Sequence, residues 1–189
     1  MERVENILPK EQPISNLCIC GSKDRFNCES KTEIPLKKYC IITLVLFTEK
    51  YSDYSWIWLN DEEIKRLTNT PDFTRNDQRA WFETIKSKPD YKIWGIDFEN
   101  IHIGACGLKN ITDKDCEYWG YIGEKDYWGR GIGTCILHGL ISYAKKLKLT
   151  SIWLVVLKEN QRAIKLYSKF GFTNELVFEN GLIKMRLIL

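Results

Sequence analysis

The chain has 189 residues, 44% of them hydrophobic and 13% aromatic, which suffices for one well-packed domain and excludes a mostly disordered chain. A formal net charge of +3, with lysines spread along the chain, lacks the dense basic face that nucleic acid requires. The longest apolar run near the start, Cys40 to Phe47, is too short for a membrane span and has no signal-peptide architecture around it.

Seven cysteines form an odd set, which suits reduced thiols, so a soluble cytoplasmic protein without nucleic-acid or membrane partners is expected. Residues 1–38 are polar, carry Pro9, Pro13 and Pro35, and show no sustained period; they read as an N-terminal extension of a single domain at 39–189. Cys18, Cys20, Cys28 and Cys40 can be drawn as a zinc site, but their spacing matches no standard ligand pattern, and no metal is expected.

Tyr39 to Phe47 reads as the first strand, followed by helical stretches from Tyr51 to Thr68. Another helix begins after Pro71-Asp72-Phe73-Thr74, with Trp81, Phe82 and Ile85 on its buried side. Tyr91 to Phe98 and His102 to Leu108 form a hairpin turning near Glu99-Asn100, and Cys116 to Gly123 is the next strand. A helix from Gly131 to Lys148 places Ile132, Ile136, Leu140, Tyr143 and Leu147 on its core face. Ser151 to Leu157 reads as a buried strand, and two last strands, Thr173 to Phe178 and Leu182 to Ile188, turn at Glu179-Asn180-Gly181. The fold class is α/β (α+β), a mixed and mostly antiparallel sheet with helices on both faces.

The most informative stretch is Tyr127-Trp128-Gly129-Arg130-Gly131-Ile132-Gly133-Thr134, which runs from a strand into a helix. Free N–H groups and the helix dipole make such a start an anion site, and Arg130 adds a charge-assisted contact. A Walker A loop needs a lysine before Thr134, and a dinucleotide fingerprint needs a glycine at Ile136; neither fits. The second motif follows the Ser151–Leu157 strand. Asn160 suits a helix N-cap, Ala163, Ile164, Leu166, Tyr167 and Phe170 form an apolar face, and Gly171 supplies the stop.

Together these two motifs, Trp128 to Lys146 and Asn160 to Phe172, resemble the acetyl-CoA-binding motifs of the GNAT N-acetyltransferases. The resemblance covers roughly residues 40 to 189. Trp58-Leu59-Asn60-Asp61 and the Trp119 to Gly133 block are most similar to the branch containing ribosomal-protein and amino-sugar acetyltransferases, where Trp128 replaces the usual Gln or Arg. It implies the GNAT fold, with central strands splayed around a thioester, and acetyl-CoA as donor. The implied cofactor-binding residues are Tyr121, Ile122 and Gly123 of the strand, Trp128, Gly129, Arg130, Gly131, Ile132, Gly133 and Thr134 of the loop, and Asn160, Ala163 and Tyr167.

Glu117 lies six residues before Gly123, about 20 Å in an extended strand, close to the reach of a phosphopantetheine arm. Period-two alternation places it on one face with Trp119 and Tyr121, opposite Tyr118, Gly120 and Ile122. The resemblance implies general base catalysis for Glu117, directly or through water; the plainer alternative is a salt-bridged surface residue. It likewise implies that Tyr167 protonates the departing thiolate, the alternative being a core aromatic. Some peptide-acetylating members take their base from the strand before this helix, where the chain has Val155. His102 and His138 have no acidic neighbour in sequence, and Cys106, Cys116 and Cys135 lack a Cys-His pattern.

The expected activity is direct acetyl transfer to a primary amine, possible acceptors being a nucleotide-linked amino sugar or another small amine. A protein N-terminus and a non-catalytic CoA-binding regulatory module are the alternatives, and a monomer or homodimer fits either. By resemblance the acceptor pocket draws on Tyr54 to Asn60, Thr70 to Trp81 and Phe178 to Leu182, with Trp56, Trp58 and Trp81 as stacking candidates.

Overall fold

The computed structural model describes residues 14–18 and 41–189. The chain order is β1 (Ile14–Cys18), β2 (Ile41–Leu46), α1 (Glu49–Leu59), α2 (Glu62–Thr68), α3 (Arg75–Ile85), β3 (Lys92–Phe98), β4 (Ile101–Lys109), β5 (Asp115–Ile122), a short 3-10 turn, α4 (Ile132–Lys146), β6 (Ser151–Leu157), α5 (Gln161–Lys169), β7 (Thr173–Val177) and β8 (Leu182–Ile188). Among the described residues the strands form one eight-stranded sheet in the order β1, β2, β3, β4, β5, β6, β8, β7. Only β5 and β6 pair in parallel.

Local signals account for most boundaries. Glu99 and Asn100 both take positive φ, the geometry that a two-residue turn between right-twisted strands requires. Thr74 and Asp77 close a reciprocal capping box at the start of α3. The helical stretches expected from Tyr51 to Thr68 are α1 and α2, parted at Asp61, which caps α2 by accepting from the Glu63 and Ile64 amides at 3.1 Å.

Within the N-terminal extension Ile14–Cys18 forms β1, which pairs antiparallel with β2 and extends the sheet edge. One expectation is corrected. Leu147 is not on the core face of α4: it follows the last helical turn and is 40% exposed, while Leu137 and Ala144 are buried in its stead. The zinc question raised by Cys20, Cys28 and Cys40 lies outside the described residues, as does the Cys18 side chain. Among the described residues no helix is long and apolar enough to cross a membrane.

The sheet separates two cores. One packs α4 and α5 against Cys116, Tyr118, Ile152 and Leu154; the other packs α1, α2 and α3 against Ala105, Trp119 and Tyr121. The alternation of β5 therefore sends Glu117, Trp119 and Tyr121 towards the face covered by α1, α2 and α3, and Tyr118 and Ile122 towards α4 and α5. Fully burying a large apolar side chain contributes roughly 1.5–3 kcal/mol, so Ile152, Leu154, Leu137 and Leu140 anchor α4 to β6 firmly.

Candidate functional site

The parallel pair β5 and β6 shares only three residue pairs, Asp115 with Ser151, Cys116 with Ile152 and Glu117 with Trp153. Beyond Glu117 the two strands part. The backbone of residues 118–122 on one side and 154–157 on the other is thus left free to face a ligand, and both stretches line a cavity of about 1300 Å³. Arg186 holds the closed end of this V, donating to Asp115 at 2.9 Å and to Ser151 Oγ at 2.7 Å. Its guanidinium keeps the Asp115 carboxyl below the usual carboxylate range.

The open end of the V is capped by the glycine loop. Gly129 (φ 78°) and Gly131 (φ 80°) sit in the left-handed region, which costs other residues roughly 1 kcal/mol or more. Among the described residues the N–H groups of Gly129, Arg130, Gly131, Ile132 and Gly133 donate to no acceptor. The first intrahelical donors are Thr134 and Cys135, both onto the Gly131 carbonyl. Five adjacent free donors at the positive end of α4 form an anion cradle.

Trp128 closes the loop onto the strand by donating its indole N–H to the Ile122 carbonyl at 2.8 Å. The Arg162 guanidinium lies 4.6 Å from the centre of the Trp128 ring, and Arg130 lies 5.0 Å from that of Tyr127. Two cations thus accompany the free amides, of which sequence reasoning named only Arg130. Arg162 was legible as a cation in the first turn of the second-motif helix; its stacking on a residue 34 positions earlier was not.

The other expected cofactor residues distribute as follows. Tyr121, Ile122, Trp128, Gly129, Gly131, Ile132, Gly133, Thr134, Asn160, Ala163 and Tyr167 line the cavity, whereas Gly123 and Arg130 do not. A side chain at Gly123 would overlap the Trp58 ring, so this glycine admits the indole to the core. Gly133 meets α5 in a similar way, since a Cβ there would sit 2.8 Å from Leu166 Cδ2. Asn160 caps α5 by accepting from the Ala163 N–H at 3.2 Å, and its amide reaches the Leu67 carbonyl at 3.5 Å, which ties α5 to the end of α2.

Glu117 and Tyr167 line the same cavity from opposite walls. Glu117 is ion-paired with Lys109 at 3.0 Å and accepts from Asn110 Nδ2 at 2.8 Å, and its side chain keeps 12% exposure. Tyr167 stands edge-to-face with Tyr118, ring centres 6.1 Å apart, and its hydroxyl has no hydrogen-bond partner among the described residues. Burial pushes its phenol up to about 12. Tyr118 is raised as well, chiefly by burial and then by Tyr167.

At the acceptor end the wall includes Phe73, Gln78, Trp81, Tyr91 and Trp119. Trp58 is core: it is buried and donates to Glu124 at 2.8 Å. Trp56 lies under the Arg75 guanidinium, 4.7 Å from ring centre to Cζ, and does not line the cavity. From the last turn only Leu182 reaches it. Sequence reasoning missed Tyr91, whose position just before a strand carried no signal.

Neither histidine lines this cavity, and among the described cysteines only Cys106 does. His102 does have an acidic partner: its Nδ1 lies 2.6 Å from Asp97, which also accepts from Tyr51. The pair faces across the β3–β4 hairpin, so the two-residue turn could have revealed it. His138 is exposed and packs on Phe170. Cys106, Cys116 and Cys135 are buried, and burial pushes the Cys116 thiol up to about 12, which fits small core residues.

A family model described as an acetyltransferase (GNAT) domain matches residues 42–173. The acetyltransferase PseH of Campylobacter jejuni is 26% identical over 137 residues, which covers 70% of this chain and 85% of that protein. The crystal structure of PseH in complex with acetyl coenzyme A matches with a TM-score of 0.62 at 20% identity, covering 78% of this chain and 99% of that one. Spermidine N-acetyltransferase from Vibrio cholerae, in complex with CoA and spermine, matches with a TM-score of 0.70 at 19% identity, covering 78% and 95%. The ribosomal alpha-N-protein acetyltransferase RimL shares the fold at a TM-score of 0.69 and 13% identity, covering 82% and 99%. The family model spans well over half of the chain, in the region that holds both the glycine loop and the parted strands: the chain belongs to the GNAT acetyltransferases, enzymes that draw their acetyl group from acetyl-CoA.

Proposed function

We propose that this enzyme acetylates the primary amine of an amino sugar, carried on a nucleotide, with Glu117 as base and Tyr167 as hydrogen-bond donor to the leaving sulfur. The observation that carries this reading is the parting of β5 and β6 directly after Glu117, which opens one cavity to both side chains. With a diphosphate on the amides of residues 129–133, the pantetheine arm fits the gap between the strands and its thioester comes level with Glu117 and Tyr167.

Glu117, directly or through a water, takes the proton that the ammonium must lose before nitrogen can attack the thioester carbon. The new C–N bond forms as the C–S bond breaks, and the sulfur leaves with a proton as CoA thiol. A phenol at about 12 keeps its proton throughout the working pH range. A phenol raised by burial is a weaker acid than a thiol of ordinary pKa, about 8.5, so complete proton transfer to such a thiolate is disfavoured. Tyr167 therefore contributes most as a hydrogen bond that strengthens while negative charge develops on sulfur.

The lining supports this acceptor class. Phe73 and Trp81 offer ring faces for a sugar or base, and Thr68, Thr70 and Gln78 supply neutral polar groups. The carboxylates nearby are already engaged: Glu63 with Lys125, Asp77 in its capping box, Glu159 with Arg66. Little free negative charge is left for a polyamine, the acceptor type seen with the Vibrio cholerae neighbour. Release of CoA thiol should be measured over nucleotide-linked amino sugars, polyamines and peptides with free N-termini. The reading expects the highest kcat/KM for a nucleotide-linked amino sugar; a clear preference for spermidine or for a peptide overturns the acceptor class and leaves the transfer chemistry intact.

A further inference from the structure

Trp119 presents an anomaly at the acceptor end of the cavity. Its indole N–H is buried with no hydrogen-bond partner among the described residues. A buried donor left without an acceptor is destabilising, so its retention calls for a reason. The indole reaches back across β4, lying so close over Gly107 that a Cβ there would meet Nε1 at 2.7 Å. This brings it to the start of β3, where the Tyr91 ring stands 6.2 Å away, centre to centre.

Tyr91 is held there by the chain around it. Its N–H donates to the Lys88 carbonyl, and the neighbouring Asp90 carbonyl accepts from Ile111 at 3.1 Å. That second bond joins the Tyr91 segment to the turn whose Asn110 side chain donates to Glu117. Burial first, and the Glu117 carboxylate second, hold the Tyr91 phenol well above its ordinary value, while the Trp119 indole works the other way. Tyr91, Trp119 and Glu117 line the same cavity, so the phenol shares it with a carboxylate and with an indole N–H that has no partner among the described residues.

We propose that Tyr91 is a positioning residue of the transfer site: it accepts the orphaned Trp119 N–H and donates its own O–H to Glu117, aiming that carboxylate at the acceptor amine. The role rests on Glu117 being the base. Around Glu117 the other charged and titratable groups are few. Lys109 on β4 is paired with it, Asn110 in the following turn is neutral, and its neighbour on β6 is Trp153, over which Lys184 of β8 lies.

The test is the pH profile of kcat/KM with one acceptor in the wild type, Tyr91→Phe, Trp119→Phe and Glu117→Gln. A donor to an ionised carboxylate favours the ionised form, so losing it moves the acid limb upward; for Tyr91→Phe the expected shift is about one pH unit, and for Trp119→Phe a smaller one in the same direction. The amine's own titration is common to all variants and cancels. CoA affinity should stay within about twofold, because neither ring reaches the phosphate loop, and a thermal melt checks folding. An unmoved acid limb in Tyr91→Phe, while Glu117→Gln loses most of its rate at lower pH, overturns the inference and leaves the base assignment standing. A limb that survives intact in Glu117→Gln overturns the base assignment and this role of Tyr91 with it.

Discussion

Glu117 and Trp153 form the last cross-strand pair between β5 and β6, so the candidate base stands where the parallel strands begin to diverge. A residue one position earlier would be shut in the closed end of the V. Two positions later, Trp119 already lies along the open wall. Position along the strand thus makes Glu117, among the carboxylates of the described residues, the candidate for work at a thioester lying between the strands.

Replacing Glu117 with Gln should depress the rate most at lower pH, where more of the amine is protonated and a base matters more. Raising the pH should restore part of the loss. Full rate profiles with a single acceptor check this; a variant that tracks the wild type across the range leaves proton removal to water or another group.

Tyr167→Phe should lower kcat by about 10²–10³-fold, the lower part of the general-acid range, because a phenol at about 12 acts by hydrogen bonding more than by complete proton transfer. The affinity for CoA should hold within a few-fold, since the anion cradle lies elsewhere. Stopped-flow thiol release alongside calorimetric titration separates the two. A near-normal rate would return Tyr167 to its packing role against Tyr118 and Phe172.

Gly131→Ala places a Cβ at φ 80° in the cradle and should raise the CoA dissociation constant about tenfold or more, through strain and through loss of close approach. Gly133→Val is the less specific probe, because it also strikes Leu166 and loosens α4 from α5. Calorimetry with Gly131→Ala showing unchanged affinity would place the diphosphate away from this loop.

Arg186→Leu should destabilise the fold by about 1–2 kcal/mol at neutral pH, discounting for solvent screening of the partly exposed partners. Its guanidinium lowers both Asp115 and Glu175, so the stabilisation exists above the ordinary carboxylate range and is lost as pH falls through the lowered folded values. Denaturant midpoints of variant and wild type should therefore converge as pH falls below the lowered folded values of these two carboxyls. A gap that persists in acid would show that Arg186 acts by packing.

What the sequence made legible was local. The alternation of Cys116 to Ile122, the Asn160 cap, the Gly171 stop with φ 91° and the glycines of the loop each act within a few residues, and each stands where expected. The resemblance then joined them into one fold. Contacts across the sheet were out of reach: Arg162 on Trp128, Trp58 filling the space beside Gly123, and Tyr91 beside Trp119 depend on how separate strands and helices meet. Leu147 was misplaced for a related reason, since a periodic pattern does not say where the helix stops. Trp56 and Trp58 show that aromatic residues in an early helix look alike in sequence, whether they face a cavity, a guanidinium or the core.

The most direct test of the transfer site is a crystal structure with CoA bound. With the diphosphate on the amides of residues 129–133, the sulfur should lie within about 3.5 Å of Tyr167 Oη, in the gap between β5 and β6, and the Glu117 carboxylate should face it from the acceptor side. A diphosphate bound away from the glycine loop, or a sulfur that emerges on a face of the sheet remote from both side chains, would contradict the account.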